Sequence, residues 1–459
     1  MNLNYFYVIP IVWLLFSCSS DDNLGEESLL KTPEVIAVNG DFEIAVAKLK
    51  NSFNIIKAGG ITTKSSQSQS LNNIKILNYQ RRSYSVDINK NKAITKTKSI
   101  LSGLNENVRD SVSVYLIEFE NNGTKGFSVA SGDYRLPHAI AISEQGSLSD
   151  TVSNVGLSMY INSLGEICKE QITKYEIEKN APTKNTRLAG VYSPIKPDIL
   201  SYVQYKQYYG DDAMDEVEAR VTEGYVTKDI NPLLKTQWSQ NAPYNYKCNN
   251  GNAPAGCVPI ATAQIMAYFK KPYTIAYWDE LTKDSYIWPN DSKLSDRVST
   301  LLYDVGKGVK VSYSSDGSGA DFKDAAPYLR SVGINCTFLD YMDNNVIINQ
   351  LNASKPVMLA GKKTNAFLGL WYKDGHAWII DGHFSFRYYC TMSVIKYILD
   401  DSATNWVEWG RDDVSYWSDA TYYHINWGWG GNSDGYYTTV NYAYNNKDYY
   451  KYDKRMIVF

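Results

Sequence analysis

A cysteine at position 257 stands where the sequence changes from a turn to an apolar helical pattern. Val258, Ala261 and Ile265 recur at three- and four-residue steps on one helical face. Pro259 fits the first turn of a helix, because its missing N–H is not needed there. Cys257 is therefore predicted at a helix N-terminus, where unpaired N–H groups lower the pKa of a thiol toward the reactive thiolate. The same pattern also fits a buried structural cysteine.

A histidine at the mouth of a short strand is the second candidate. His376 opens the run 375–382, which is mainly apolar between two glycines. Histidine is the usual proton-transfer side chain near neutral pH, so an imidazole facing a cleft there can act as general base and then general acid. A lone histidine is also commonly a satisfied structural residue.

Glycines alternate with large aromatic rings in residues 426–431, whose sequence is Asn-Trp-Gly-Trp-Gly-Gly. This pattern suits neither a regular helix nor a central strand. Glycine allows close approach of the backbone, and the indoles of Trp427 and Trp429 can shield an imidazole from water. An aromatic-packed turn without catalytic importance is the alternative.

Together these segments appear in the order found in the streptopain family of papain-like cysteine peptidases. The resemblance extends from about residue 230 to the C-terminus. Gln240 matches the family's oxyanion-hole glutamine, residues 317–320 look like its glycine/serine loop, and residues 355–357 precede the histidine strand as in the family.

The resemblance implies an endopeptidase in which Cys257 attacks the peptide bond and His376 transfers the proton. Gln240 and the Cys257 N–H would form the oxyanion hole. A third group orients the imidazole in papain-like enzymes, and both the amide of Asn426 and the indole of Trp427 are candidates. The family usually prefers a bulky apolar side chain two residues before the cut.

Peptide hydrolysis requires an ionised nucleophile, an acid for the leaving amine and donors aimed at the developing oxyanion. A cysteine–histidine pair supplies this chemistry without a metal or another cofactor, so none is expected. The expected partners are protein or peptide substrates.

The elements that position these residues point to an α+β fold. Outside the first 17 residues, every tryptophan lies at or after Trp238, which marks a domain boundary near residue 230. We predict a papain-like domain over residues 229–459, in which one helix carrying the nucleophile packs on an antiparallel sheet. The long stretch between His376 and Asn426 is interpreted as a loop that shapes substrate access.

A smaller folded unit precedes the boundary. Residues 112–130 contain two β-branched and aromatic runs around an Asn-Gly turn, which predicts a hairpin. Residues 157–168 carry apolar side chains at helical spacing, which predicts one amphipathic helix. Residues 126–133 resemble the family's inhibitory propeptide. We therefore predict an α+β inhibitory prodomain over residues 101–228, an intramolecular inhibitor released by cleavage near Lys228.

The N-terminus has the pattern of an export signal. An apolar run ends at Cys18 and turns abruptly polar, which resembles a bacterial lipobox. We predict a signal peptide over residues 1–17, a lipid on Cys18, and a flexible segment over residues 18–100. The expected location is the outer membrane or cell surface of a Gram-negative-type bacterium, with the mature domain released in some cases. An ordinary secretory signal with a chance cysteine is the alternative.

Charge and cysteine count exclude some functions and leave others open. The formal net charge of −3 gives no field that would gather nucleic acid, and membrane contact is expected only through the lipid on Cys18. Five cysteines remain after Cys18, so at least one thiol stays free or pairs with another molecule. A disulfide between Cys248 and Cys390 is left open, and Cys168 is predicted to be a buried small hydrophobe.

Two other functions fit parts of the sequence. An inactive papain-like surface lipoprotein used for adhesion or inhibition would be expected to have a degraded site, whereas Gln240, Cys257 and His376 are all present. Amidase or transglutaminase chemistry shares the cysteine–histidine pair, but the propeptide-like first half and the 426–431 pattern argue against it.

Overall fold

The computed structural model describes residues 36–38, 41–59, 74–87, 109–133, 135–136, 138–180, 213–363, 375–399, 406–438 and 452–459. The predicted signal peptide, Cys18 and the sequence predicted to link the domains at 181–197 lie outside the described residues. Two lysine- or serine-rich segments, 64–70 and 90–98, also lie outside them.

One antiparallel sheet runs through both halves of the described chain. Its twelve strands follow, in chain order: β1 Ile36–Val38, β2 Lys75–Asp87, β3 Arg109–Asn121, β4 Thr124–Ser131, β5 Ala141–Ser143, β6 Ala213–Ile230, β7 Thr337–Leu339, β8 Val357–Lys363, β9 Gly375–Leu399, β10 Trp406–Asn426, β11 Gly435–Tyr437 and β12 Tyr452–Val458. The spatial order is β2-β3-β4-β5-β11-β10-β9-β8-β12-β7, with β6 pairing β1 and β9.

Helices cover the sheet. They follow, in chain order: α1 Asp41–Gly59, α2 Val155–Asn162, α3 Leu164–Asn180, α4 Cys257–Phe269, α5 Trp278–Leu281, α6 Ser292–Gly308, α7 Ala325–Ser331 and α8 Asn344–Asn352. Helix α4 packs against β9, α6 and α7, whereas α2 packs against β9. The two helices that pack against the strand of His376 therefore come from different halves of the chain.

The predicted α+β class is confirmed, and the nucleophile helix begins at the predicted residue. Helix α4 starts at Cys257 and buries Val258, Ala261 and Ile265 along the predicted face. The expectation of only one helix beyond residue 230 is wrong, because α5 to α8 are also helical. Helix α6 is strongly amphipathic and begins with an Asp291 side chain that accepts the Leu294 N–H, a start signal that the sequence contains.

The first half joins the second through the sheet. Strand β5 pairs with β11, so that Ile142 lies opposite Tyr436 and Ala141 opposite Tyr437. One hydrophobic core also includes buried residues of both halves, among them Tyr160 of α2 and Trp378 of β9. The two halves thus share both backbone hydrogen bonds and apolar burial.

The predicted hairpin is confirmed, since β3 and β4 pair around the Asn122-Gly123 turn. The predicted single helix over 157–168 is instead two helices, because the chain bends at Ser163, whose hydroxyl donates to the Met159 carbonyl. The prediction of a flexible segment over 18–100 is wrong for residues 41–59 and 75–87. Strand β2 is ordered because it pairs along its length with β3.

The stretch between His376 and Asn426 was expected to be a loop. It consists mainly of β9 and β10, which pair from Trp406 opposite Leu399 to Asn426 opposite Ile379. Strand β6 pairs with the other edge of β9 over residues 213–230. Strands β6, β9 and β10 therefore form a three-stranded antiparallel ribbon.

Candidate active site

Cys257 is positioned by the turn that starts α4. Gly256 has φ +94°, a left-handed conformation that a side-chain-bearing residue rarely adopts, and this turn brings the chain into the helix. The backbone N–H groups of Ala377 and Val258 reach the Cys257 sulfur. Ala377 directly follows His376, so the tertiary structure places the thiol against the histidine strand.

The electrostatics of the thiol differ from the expectation. Burial raises the pKa of Cys257, and the neighbouring N–H groups of Ala377 and Val258 offset this only in part. The prediction of a lowered pKa is therefore wrong for this state of the chain. The helix start supplies the expected donors, but loss of water around the sulfur outweighs them.

The imidazole of His376 is enclosed by indoles. The ring centroids of Trp378 and Trp427 both lie 6.3 Å from that of His376, and that of Trp429 lies 6.4 Å away. Burial lowers the pKa of His376 to about 4, so the ring is neutral at pH 7. Thiol and imidazole are thus both uncharged in this arrangement.

A backbone carbonyl holds the His376 ring. Nε2 lies 2.8 Å from the carbonyl oxygen of Trp427. A carbonyl can only accept, so the proton of the neutral imidazole is assigned to Nε2, which leaves Nδ1 as the basic nitrogen. This is the tautomer that a proton acceptor for a thiol requires if Nδ1 faces it.

The two groups proposed from sequence to orient the imidazole make other bonds. The Asn426 amide donates to the Thr236 carbonyl (2.9 Å), and its oxygen accepts from Gln264 (3.1 Å). The Trp427 indole donates to the Tyr437 hydroxyl (3.0 Å). Trp427 does contact the imidazole, but through its carbonyl, a group that every residue carries and no motif can identify.

Gln240 is buried beside the segment that leads into α4. Its carbonyl accepts the Ala255 N–H at 2.8 Å, two residues before Cys257. The side chain is only 7% exposed. The structure therefore brings Gln240, Cys257 and the strand of His376 together, although more than a hundred residues separate the first from the last.

Two residues that contribute to the site were not predicted from the sequence. The Asp434 carboxylate accepts the Trp427 N–H at 2.8 Å and so fixes the backbone of the residue whose carbonyl holds His376. Burial raises the pKa of Asp434 to about 7. Its only signal in the sequence is an Asp-Gly pair, which is typical of a turn rather than of a site.

Gly156 of α2 is the second residue of the site that was not predicted from the sequence. A Cβ at this position would lie 2.5 Å from the Trp427 indole and 2.6 Å from the His376 ring, so the helix backbone packs directly on both. A glycine within an apolar helical pattern was the available signal for such close packing. A helix of the predicted prodomain therefore packs directly on the histidine.

A partly buried histidine lies on the neighbouring strand β10. His424 Nδ1 is 2.7 Å from the carboxylate of Asp381, whose other oxygen accepts the Leu234 N–H. Burial alone lowers the pKa of His424, but the charge and hydrogen bond of Asp381 outweigh it, and the pKa is raised.

Among the described residues, no cluster of three or more histidine, cysteine or acidic side chains has the geometry to hold a metal ion. The described helices include none with the length and apolar character of a membrane span. Cys168 and Cys248 are free, buried thiols, so the predicted burial of Cys168 is confirmed and a Cys248 disulfide is absent from this structure.

In sequence, the chain is similar to papain-like cysteine peptidases. Residues 238–437 match the model of the peptidase C10 family. Streptopain of Streptococcus pyogenes serotype M28 is 25% identical over 354 residues, which cover 69% of this chain and 72% of that protein. A second streptopain of Streptococcus pyogenes is 23% identical over 346 residues, with the same coverage of both chains.

A solved structure of a Prevotella intermedia prointerpain A fragment is also similar. It has a TM-score of 0.44 and 20% sequence identity, and the match covers 74% of this chain and 94% of the fragment. The sequence relatives make the chain streptopain-like, and the resemblance predicted from its motifs is confirmed.

Proposed function

We propose that this chain is the precursor of an exported cysteine endopeptidase, with Cys257 as nucleophile and His376 as its proton-transfer partner. One observation carries the proposal: Cys257 begins the helix α4, which packs on β9, the strand that carries His376. Gln240 enters the same site from a third segment. Such convergence is what nucleophilic catalysis at a cleft requires.

The proposed reaction has two stages. His376 Nδ1 accepts the thiol proton, and the Cys257 thiolate attacks the carbonyl carbon of the peptide bond. The Gln240 amide and the Cys257 N–H donate to the resulting oxyanion. The imidazolium protonates the leaving amine, the C–N bond breaks, and an acyl-enzyme remains. Water then gives a proton to His376 and attacks the thioester, which releases the acid and restores the thiol.

The first half of the chain would hold this machinery inactive. Helix α2 packs on the imidazole through Gly156, and burial favours the uncharged forms of both catalytic groups. Removal of the prodomain would admit water and substrate, which favours the thiolate–imidazolium pair. The contact at Gly156 supports an inhibitory role for residues 101–228.

Activation requires a cut between the two halves, which we place near Lys228. In the structure Lys228 belongs to β6 and pairs with Ser385 of β9. Proteases bind extended chains that have no strand partner, so β6 must separate from β9 before cleavage there. N-terminal sequencing of the processed form locates the cut.

We further propose that the precursor is exported and held at the cell surface by a lipid on Cys18. The support is the apolar run that ends at this cysteine. Fractionation of cells that express wild type or Cys18→Ser tests it. The substitution is expected to shift the precursor from the membrane to the soluble fraction, and an unchanged distribution would count against the lipid.

Catalysis is tested with purified precursor, casein and an iodoacetamide probe. Wild type is expected to process itself, digest casein and lose activity on alkylation. Cys257→Ala should do neither, and Cys336→Ala is a matched control that removes another partly exposed thiol. Casein digestion by Cys257→Ala at the wild-type rate would refute the proposed function and favour the inactive surface lipoprotein.

A further inference from the structure

An exposed group of aromatic side chains stands beside the candidate active site. We name Tyr246, Tyr286 and Trp288 the aromatic ledge. Trp288 is 66% exposed and Tyr246 is 42% exposed. Ile287, which lies between Tyr286 and Trp288 in the sequence, is buried. Large aromatic rings rarely remain this exposed without a binding role when they form a group rather than stand singly.

The aromatic ledge is held in place by the buried residue Ile287. The Ile287 side chain is anchored in the core around α4, and the Ile287 N–H donates to the Tyr244 hydroxyl at 2.9 Å. Trp288 consequently projects outward, and its ring centroid lies 5.0 Å from that of the partly buried Tyr286, at an angle of 65°. The backbone is fixed further by the Trp288 carbonyl, which accepts the Asp291 N–H. The exposed rings are thus preorganised and lose little freedom on binding a partner.

The ledge is continuous with the proposed catalytic cleft. A side chain at Gly430 would meet the Tyr286 ring at 3.2 Å, so this ring packs against the loop that follows Trp429. The Tyr286 hydroxyl donates to the Ala242 carbonyl at 3.4 Å, two residues after Gln240. The ring therefore touches both the loop that walls the imidazole and the loop that carries the oxyanion-hole glutamine.

The position of the aromatic ledge determines which half of a bound peptide it can contact. His376 protonates the leaving amine, so the C-terminal part of a cleaved peptide departs on the side of the imidazole and its Trp429 wall. The ledge lies directly beyond this wall. The opposite side of Cys257 is occupied by the loop of Ser318, whose backbone approaches Gly256.

We infer that the aromatic ledge binds an aromatic or large apolar side chain of the substrate, within the first few residues after the cleaved bond. This inference rests on the proposed function and adds a preference that the cysteine and histidine do not provide. Ring-to-ring contact with Trp288 and Tyr286 would remove apolar surface from water on both partners.

The experiment compares two substrates of the processed enzyme, which is obtained by activating the full-length precursor. One is an internally quenched peptide with phenylalanine at the second and third positions after the cut. The other is the same internally quenched peptide with glycine at these two positions, so it presents no large side chain to the ledge. Trp288→Ala is expected to lower the ratio of the two kcat/KM values about five- to tenfold, mainly through KM. Trp288→Phe should restore most of the ratio.

Tyr273→Ala is the matched control. This tyrosine is 77% exposed and follows the far end of α4, about 20 Å from Cys257. Its substitution should leave the ratio unchanged. An unchanged ratio in Trp288→Ala, or an equal fall in Tyr273→Ala, would overturn the inference while wild-type activity upholds the proposed function. Failure of wild type to hydrolyse either substrate in a Cys257-dependent manner would overturn both.

Discussion

His376 and His424 lie on neighbouring strands, and burial acts on both in the same direction, yet the pKa values of the two imidazoles are shifted oppositely. The partner of His376 is the neutral Trp427 carbonyl, and burial lowers its pKa to about 4. The partner of His424 is the Asp381 carboxylate, which outweighs burial and raises its pKa. The charge of the partner therefore decides in which direction the pKa of a solvent-shielded imidazole is shifted.

Under the proposed function, this difference separates a latent catalytic group from a structural imidazole–carboxylate pair. A neutral His376 under α2 can become a proton acceptor once the prodomain departs, because no permanent charge fixes it. His424 and Asp381 instead tie β10 to β9 and to the segment entering the peptidase domain through the Leu234 N–H. The comparison assigns chemistry to one imidazole and stability to the other.

The variant with the largest expected effect on this comparison removes the His424 imidazole. His424→Ala leaves the buried Asp381 carboxylate without its imidazole partner, and the free energy of unfolding is expected to fall by about 3–5 kcal/mol. His376→Ala should cost less, because it leaves only a neutral carbonyl without a donor. Urea unfolding in a Cys257→Ala background, which prevents self-digestion, measures both.

The control is the double variant Asp381→Ala/His424→Ala. If the two side chains form a pair, the double variant should lose less stability than the sum of the single variants. Strict additivity, or a larger loss for His376→Ala than for His424→Ala, would contradict the assignment of His424 as the structural member.

A smaller change in free energy is expected for a substitution at the contact between the predicted prodomain and His376. Gly156→Ala places a methyl group within 2.6 Å of both aromatic rings, so the precursor must shift α2 away from them. Such overpacking costs about 1–3 kcal/mol of docking free energy. The precursor should then process itself faster, while the mature enzyme, which lacks this residue, should have unchanged activity.

Ser158→Ala is the matched control, because it changes one atom of a partly exposed side chain on the same helix. Half-times of processing, followed by gel, distinguish the two variants. Equal half-times for Gly156→Ala and wild type would show that α2 does not restrain the histidine.

Sequence patterns predicted those parts of the site that side-chain type alone decides. The helix start at Cys257 was visible because proline and apolar periodicity are local signals. The β3–β4 hairpin was visible for the same reason, through its Asn-Gly turn. The order of β2 was missed because its residues pair with β3 rather than with each other, and such pairing leaves no local trace.

By itself, the sequence determined which residues are able to perform cysteine–histidine chemistry and roughly where the two halves divide, because residue type and short-range spacing carry that information. Only the tertiary structure decided that a backbone carbonyl of Trp427 holds the imidazole, that Gly156 packs on it, and that burial keeps thiol and imidazole uncharged. These properties depend on solvent exclusion and on contacts between distant segments, and both arise only when the chain is folded.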